Sequence, residues 1–499
     1  MPGAAGPTRA QLESAARDLV RDAFEVLAED HVIPTATGYP FIRVGRDYFG
    51  PSLMPLATFV TLESLLNAAY PNRFADPLRR KDAEFANRYV FGLIEGCVRR
   101  CVDGERYHPD EPGVAESIAE LFGVLDASED ELCVVRAMSH VSTADGKPIT
   151  IDGVQVRPEH GDQQRSFDFF MQEFRQQIPG AGGTFNREIP HVFAQPHAVI
   201  AAHGPSGPDG AFDATETLSG QLNRWTLAMR LLTGATARAH YEVRGSTTLV
   251  GAIDAHLYEF TRSFTMPMAR RTLVVRREHE RAVQQLLALI DSVDARREGV
   301  VSASLDVALG RFNASFTGDS VLSLVDLATA MEAVFIDRVD GSEGLSGRLR
   351  TRAAALLVTE QDGADKVFND VKAFYALRST LVHGGTLTEK RFKAQILGIS
   401  TIAERNMFGV ATVQAVDRMR DLVRRAILSR LCLATGDDPL WRFDPDTSMD
   451  VAFSDDAKRQ QMRGRWHAML DGISAAESVQ NLAAPENPIR VDYGAKGSA

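Results

Sequence analysis

The sequence VFNDVKAFYALRSTLVHGG, residues 367–385, decides the fold of the C-terminal half of this chain. Its apolar residues recur at spacings of three and four, the pattern of one buried helix face: Val367, Val371, Phe374, Leu377 and Leu381. The pair Gly384-Gly385 follows, and glycine often ends a helix because it adopts the left-handed backbone freely. The stretch predicts a buried helix whose last two turns carry Arg378 and His383.

Helical patterns also surround this stretch. After Met266-Pro267 the strand patterns vanish, and the predicted helices are joined by short loops, as antiparallel neighbours in a bundle require. The predicted helices cover residues 272–297, 302–316, 319–338, 345–358, 364–383 and 400–434. We therefore predict an all-α helical bundle over residues 270–435. Residues 436–499 form a predicted acidic C-terminal tail with one helix, at 455–473.

The N-terminal residues 1–269 mix helical and strand patterns. Helices are predicted at 8–30, 55–70, 78–103, 114–126, 162–177 and 216–233. The segments ELCVVRAMSHVST and PITIDGVQVRP indicate strand, turn and strand, because Asp-Gly punctuates them, and HVFAQPHAVIAAHG indicates a further strand. The predicted fold class is therefore α+β: a mixed α/β N-terminal region of one or two subdomains, followed by the all-α bundle.

Composition bounds the class of protein. The 499 residues suffice for two or three domains, and 44% apolar with 24% charged residues is ordinary for a globular protein. The N-terminus lacks the features of a secretory signal, and no apolar run approaches the roughly 18 residues that span a bilayer. Four scattered cysteines do not make a disulfide framework. We expect a reduced, cytoplasmic protein with no membrane partner.

The net charge of −11 is unevenly distributed. Residues 1–269 carry 24 basic and 35 acidic side chains, a net −11, whereas residues 270–435 carry 24 and 20, a net +4. Residues 436–499 carry 7 and 11, a net −4. The segment with Arg378 and His383 is therefore the only basic one, and a local basic field can attract a polyanion.

Three segments together resemble a known family. SLVDLATAMEAVFIDRV, GRLRTRAAALLV and VFNDVKAFYALRSTLVHGG are similar to the HEPN superfamily, in particular its ApeA-like branch, over roughly residues 275–435. The shared signature is an arginine followed after four to six residues by a histidine. The resemblance implies an endoribonuclease that needs no metal or other cofactor, binds RNA and works as a homodimer or higher homo-oligomer. Such proteins often act in bacterial anti-phage defence or toxin-like stress responses.

The resemblance assigns roles to individual residues. Arg378 and His383 match the catalytic pair, and Glu332 matches an acidic position of the family. Ser379 stands where Asn, Asp or His is common, and we treat it with Glu332 as a supporting residue. A separate set of arginines, in the segment GRLRTR, could line a path for RNA phosphates: Arg348, Arg350 and Arg352. The N-terminal region would then sense an unknown trigger or select the RNA.

The residue types suit RNA cleavage. A neutral histidine, with an ordinary pKa near ~6.5, can remove the proton of an RNA 2′-hydroxyl, a group that DNA lacks. An arginine fork matches phosphate oxygens and can hold the charge that builds at phosphorus. Five residues turn a helix by about 500°, so Arg378 and His383 point about 140° apart. A site shared across a two-fold dimer is therefore the natural geometry.

Two alternatives stay open on the sequence alone. A chain of this length and composition holds about one Arg-x4-His pattern by chance, so Arg378 could be a salt-bridged core residue and His383 a helix cap. The segment could also be a non-catalytic HEPN-type scaffold that binds RNA or a protein.

Overall fold

The structure is a computed structural model, and its described residues cover most of the chain. They are 6–29, 32–34, 40–42, 53–71, 74, 86–101, 112–127, 131–158, 198–205, 211–247, 256–259, 272–294, 304–316, 320–336, 344–382, 388–402, 405–443 and 448–474. His383 and the predicted helix at 162–177 lie outside them.

The chain begins with helices and a short hairpin. These are α1 (Arg9–Glu29), β1 (Val32–Pro34) antiparallel to β2 (Pro40–Ile42), α2 (Ala57–Ala69), α3 (Ala86–Cys101) and α4 (Pro112–Asp126). The four helices surround a shared apolar core that includes Leu19, Phe59 and Leu93. Within the described residues, the helices predicted at 8–30, 55–70, 78–103 and 114–126 are thus confirmed.

An antiparallel sheet follows. Its elements in chain order are β3 (Glu131–Ser139), β4 (Val141–Thr143), β5 (Ile149–Ile151), β6 (Val154–Pro158), β7 (Ala198–Pro205), α5 (Ala211–Thr233), β8 (Arg238–Ser246) and β9 (His256–Glu259). Six strands form the sheet in the order β5-β6-β7-β3-β8-β9, and β4 lies outside it. Helix α5 packs on β3 and β7 and buries Trp225.

A buried ion pair fixes α5 to this sheet. Arg136 on β3 and Glu242 on β8 are direct neighbours in the register, and Arg136 Nε donates to Glu242 Oε2 at 3.0 Å. From α5, Ser219 donates to Glu242 and Asn223 accepts from Arg136, each at 3.0 Å. The charges are therefore matched within the sheet–helix layer, as buried charges must be.

The prediction that strands end near Met266-Pro267 is wrong. A further strand, β10 (Leu273–Val275), pairs in parallel with β4, with Leu273 opposite Val141. Leu273 and Val275 are buried and Val274 is exposed, which is the alternation of a half-buried strand. Three residues are too few to stand out in sequence, and the next helix consequently begins at His279 instead of residue 272.

The rest of the described chain is helical. It contains α6 (His279–Asp294), α7 (Ser304–Ala314), α8 (Ser320–Phe335), α9 (Leu345–Leu357), α10 (Ala364–Val382), α11 (Glu389–Leu397), α12 (Phe408–Ala434), α13 (Met449–Ser454) and α14 (Asp456–Ser474). Helix α12 is central, because it packs against α8, α14 and several other helices. The predicted class, an α/β N-terminal region followed by a helical part, is confirmed.

Two helices were not predicted. Helix α11 is short and polar, so it lacks a long apolar period, and the helix predicted at 400–434 begins only at Phe408. The short helix α13 was also missed in the predicted tail, where α14 buries Trp466 and Leu470 in the same apolar core as the bundle. That core extends from the sheet to α14, and the predicted domain boundaries stay predictions. None of the helices in the described ranges is long and apolar enough to cross a membrane.

Candidate active site

Helix α10 carries the motif arginine. Asp365 lies in its first turn, where a negative charge favours the positive end of the helix dipole. The apolar stripe predicted from sequence is buried from Val367 to Leu377, whereas its last member, Leu381, is half-buried. Arg378 follows this stripe directly and is half-buried, near the C-terminal end of the helix. The fold therefore holds the arginine backbone rigidly while leaving part of its side chain accessible.

Arg378 contacts the acidic residue to which the family resemblance assigns a supporting role. Its Nη2 lies 3.0 Å from Oε2 of Glu332, in the last turn of α8. The two side chains keep 20% and 19% of their surface exposed. The pair is thus neither a loose surface salt bridge nor a sealed core pair, and it fixes the guanidinium at the protein surface.

Tyr375 is the third residue of the candidate site, beside Arg378 and Glu332. It lies three residues before Arg378 on α10, so both side chains emerge on the same side of the helix. Its hydroxyl hydrogen-bonds the Glu332 carboxylate, and the Arg378 guanidinium carbon lies 6.0 Å from the centre of its ring. Glu332 therefore accepts a hydrogen bond from a phenol while it forms an ion pair with a guanidinium.

Burial shifts the acid–base properties of this group. Burial raises the pKa of Glu332 above its ordinary value, although Arg378 and the Tyr375 hydroxyl oppose that shift. Burial, together with the neighbouring Glu332 charge, also raises the pKa of Tyr375. Desolvation dominates at the carboxylate, which is the signature of a site partly excluded from water.

The guanidinium keeps unused donor capacity. Arg378 Nε is buried and has no hydrogen-bond partner within the described part of the chain. An unsatisfied buried donor is unfavourable, and it is relieved when an acceptor arrives. The Arg378 side chain is 20% exposed, so an anion that approaches its exposed part would meet a cation whose position Glu332 fixes.

The other two motif residues are less defined. Ser379 is half-buried on α10 and, as far as the described residues extend, makes no hydrogen bond to Arg378 or Glu332. His383 follows the end of α10 in sequence but lies outside the described residues. Its role as a base stays a prediction.

The predicted phosphate path along α9 needs correction. Arg352 is buried, donates to Asp450 Oδ1 and to the Phe335 carbonyl, each at 2.6 Å, and so cannot contact RNA at the surface. Arg348 is partly exposed, 3.4 Å from Asp450 Oδ2. Arg350 is half-buried, with its guanidinium 4.8 Å from the Phe368 ring centre. Only Arg348 and Arg350 stay candidates for RNA contact.

A buried ionic network anchors α10 to α12. Arg418 of α12 donates to Asp362, which precedes α10, at 2.8 and 2.9 Å, and to Asp370 within α10 at 2.9 Å. Asp370 also accepts from the Ser400 hydroxyl at 2.6 Å. Arg425 adds a further contact to Asp362. Because these charges are matched, the network fixes the position of the helix that carries Arg378.

Tyr375 and Asp370 were not predicted from the sequence. Tyr375 lies beside the apolar stripe, three residues before Arg378. That spacing was the one signal in the sequence that the two side chains share a side of the helix. Asp370 gave no signal, because its partner Arg418 lies on a helix far along the chain.

Comparison with models of protein families, with curated proteins and with solved structures finds no match in any of the three. Among the described residues, no group of three or more His, Cys, Asp or Glu side chains is placed to hold a metal ion.

Proposed function

We propose that this chain is a metal-independent endoribonuclease of the HEPN type. The observation that carries the proposal is the 3.0 Å contact between Arg378 and Glu332, which joins the motif arginine to the residue that the family resemblance gives a supporting role. A partly exposed arginine held by a carboxylate can bind a phosphate group, and the sequence supplies a histidine five residues later. These are two of the groups that a site for phosphodiester cleavage needs. The proposed setting is cytoplasmic, in bacterial anti-phage defence or a toxin-like stress response.

Arg378 supplies the electrostatic part of the reaction. Negative charge builds on the non-bridging phosphate oxygens as the 2′-oxygen attacks phosphorus, and a guanidinium fork stabilises that charge. Glu332 takes one side of the guanidinium, which fixes its direction, and Tyr375 fixes Glu332 in turn. The Arg378 guanidinium is therefore already oriented to stabilise the transition state and does not have to reorganise during the reaction.

His383 supplies the proton transfer. Its neutral imidazole takes the proton of the 2′-hydroxyl, the 2′-oxygen forms a bond to phosphorus, and the bond to the 5′-oxygen breaks. The departing 5′-oxygen takes up a proton from an imidazolium or from water. The products are a 2′,3′-cyclic phosphate and a 5′-hydroxyl end, so atoms and charge balance without a metal. The five-residue spacing of Arg378 and His383 predicts side chains that point apart, so two copies of the chain would share the site.

The decisive test is cleavage of total RNA by the full-length protein in EDTA. Wild type should cut, and the products should carry 2′,3′-cyclic phosphate and 5′-hydroxyl ends, whereas Arg378→Ala and His383→Ala should lose most of the activity. A single 2′-deoxy substitution at the cut nucleotide should block cleavage there.

A matched control comes from another ion pair in the bundle. Arg311 on α7 lies 3.0 Å from Asp326 on α8, so Arg311→Ala also removes an arginine–carboxylate contact between two helices. This variant should cut RNA like wild type. Cleavage that requires a divalent metal, or that survives both motif substitutions, contradicts the proposal.

A second function follows from the partial burial of the Arg378–Glu332 pair. Arginines in such pairs commonly stabilise a fold, and the chain could then be a non-catalytic module that binds RNA or a protein. RNA binding without cleavage in the same assay, unchanged by His383→Ala, would favour this function.

A further inference from the structure

Helix α11 carries the densest set of unpaired cations in the described helices. It contains Lys390, Arg391 and Lys393 with one acid, Glu389, and all four are exposed. Phe392 and Ile396 face the protein. Phe392 packs edge-on against Phe408, with 5.5 Å between the two ring centres. On a helical projection the three cations spread over the outward side, opposite the buried one.

These cations differ from most arginines in the same bundle. Elsewhere guanidinium groups are engaged: Arg352 with Asp450, Arg418 with Asp362, Arg430 with the Ala333 carbonyl, and Arg463 with the Ala355 carbonyl. By contrast, no carboxylate in the described chain lies within ion-pair distance of the cations of α11. Lys393 makes one weak contact, 6.0 Å from the Phe408 ring centre. Within the described residues these three cations therefore form no ion pair, and with Glu389 the helix carries a net charge of +2.

The position of α11 matters as much as its charge. It packs against α10 and α12, and only residues 383–388 separate it from the end of α10. Seven backbone steps join Val382 to Glu389, so the two are at most about 25 Å apart. A strand of several nucleotides can bridge that distance.

We infer that the outward side of α11 binds the phosphate backbone of single-stranded RNA that leaves the Arg378 site. This inference rests on the proposed function for the identity of its ligand. Each cation would neutralise a phosphate and release a counterion, which gives affinity without sequence preference. In a chain with a net charge of −11, such a local positive patch also attracts RNA more strongly than the acidic surface around it.

The composition of the surface favours RNA over an acidic protein. The core of a protein interface needs aromatic or large apolar anchors, and the exposed residues of α11 include none. Its aromatic residue, Phe392, is turned inward. A surface that offers only charge suits a flexible polyanion.

The test measures binding by the full-length protein with His383→Ala, in EDTA, so that the RNA is not cut. The probe is a fluorescent single-stranded RNA of about 20 nucleotides, titrated at several salt concentrations. The test variant adds Lys390→Gln, Arg391→Gln and Lys393→Gln. Its matched control adds Lys147→Gln, Lys366→Gln and Lys458→Gln, three exposed lysines on other elements with the same total charge change.

The α11 variant should bind about 10- to 100-fold more weakly near physiological salt. Its slope of log affinity against log salt should be about 2 smaller, because each phosphate that is no longer neutralised reduces the slope by roughly 0.7. The control should retain affinity and slope. In the cutting background, the α11 substitutions should raise KM and leave kcat unchanged.

Several results would overturn the inference. These are an unchanged affinity of the α11 variant, an equal loss in the control, no binding by the parent at low salt, or polyglutamate binding to α11 as tightly as RNA. The proposed function fails separately: RNA binding through α11 with no cutting by wild type would remove the nuclease and keep this surface. Cutting by wild type with unchanged binding of the α11 variant would remove only this surface.

Discussion

Oε2 of Glu332 lies 3.0 Å from Nη2 of Arg378, and this contact joins the end of α8 to the last turns of α10. The same carboxylate accepts from Tyr375. The motif arginine thus belongs to a three-residue group from two helices: Glu332 on α8, and Tyr375 and Arg378 on α10.

Tyr375→Phe should lower the cleavage rate about 5-fold while leaving KM almost unchanged. The substitution removes only the hydroxyl that positions Glu332, a hydrogen bond contributing ~1 kcal/mol, and that energy corresponds to a rate factor of this size. The measurement is kcat and KM for RNA cleavage, with urea unfolding for stability.

The N-terminal helices provide a matched control. Tyr70 donates to Asp126 at 2.6 Å, and Arg9 donates to the same carboxylate at 2.7 Å, which repeats the tyrosine–carboxylate–arginine arrangement in a different core. Tyr70→Phe should cost a similar stability and leave cleavage intact. A loss of activity in both variants would show that Tyr375 acts only through general stability.

Glu332→Gln should become more stable relative to wild type as the pH rises from about 4 to 7. Burial raises the pKa of Glu332 in the folded protein. A raised acid pKa favours folding while the group is protonated, and this contribution is lost as the pH climbs from the unfolded towards the folded pKa. Glutamine does not titrate, so the difference between the two proteins isolates this group. Urea midpoints at several pH values measure it, and a difference that shrinks with rising pH contradicts the assignment.

Asp362→Asn should destabilise the protein by about 3–5 kcal/mol. The substitution leaves Arg418 and Arg425 buried without the carboxylate that both contact. As control, Asp456→Asn breaks the exposed pair with Arg459 and should change stability by about 1 kcal/mol or less. Chemical denaturation measures both, and equal effects would refute the role of the network.

The loss of stability caused by Asp362→Asn should depend on pH in the acid range. Burial alone would raise the pKa of Asp362, but Arg418 and Arg425 together lower it below its ordinary value. The stability that Asp362 contributes is therefore present above the unfolded pKa, about 3.9, and is lost as the pH falls through the folded pKa. The gap between wild type and Asp362→Asn should narrow below about pH 4. A gap independent of pH would show that the carboxylate charge is irrelevant.

Arg352→Ala should lose about 2–4 kcal/mol of stability, because it removes a buried side chain and its hydrogen bond to the Phe335 carbonyl. Arg348→Ala, on the same helix but partly exposed, should lose about 1 kcal/mol or less. Thermal unfolding of both variants tests whether Arg352 stabilises the fold instead of contacting RNA. A larger loss for Arg348→Ala would reverse the assignment.

Mixing Arg378→Ala protein with His383→Ala protein should restore part of the activity. In a two-fold dimer that pairs the arginine of one copy with the histidine of the other, each mixed dimer keeps one intact site. Random exchange would therefore return about a quarter of wild-type activity. Cleavage after co-refolding measures it, with each variant alone as control. No recovery would place both residues of the site within one chain.

Much of the fold was predictable because its signals are local. The stripe of α10 and the N-terminal helices depend on apolar spacing, which any single segment displays. Strand β8 was missed because it carries Arg238, Glu242 and Arg244, charges that interrupt an apolar pattern. Glu242 and Arg244 are buried with partners on β3 and α5, and Arg238 donates to the Phe316 carbonyl. No local pattern contains that information.

The sequence by itself determined the helix that carries Arg378 and the basic character of its segment, because periodicity and charge are properties of neighbouring residues. Glu332 was singled out by the family resemblance and by no local pattern. Only the tertiary structure decided that Glu332 touches Arg378, that Tyr375 supports the pair and that Arg352 is buried against Asp450. Each of these contacts joins residues far apart along the chain, and the distance between them is set by how the helices pack.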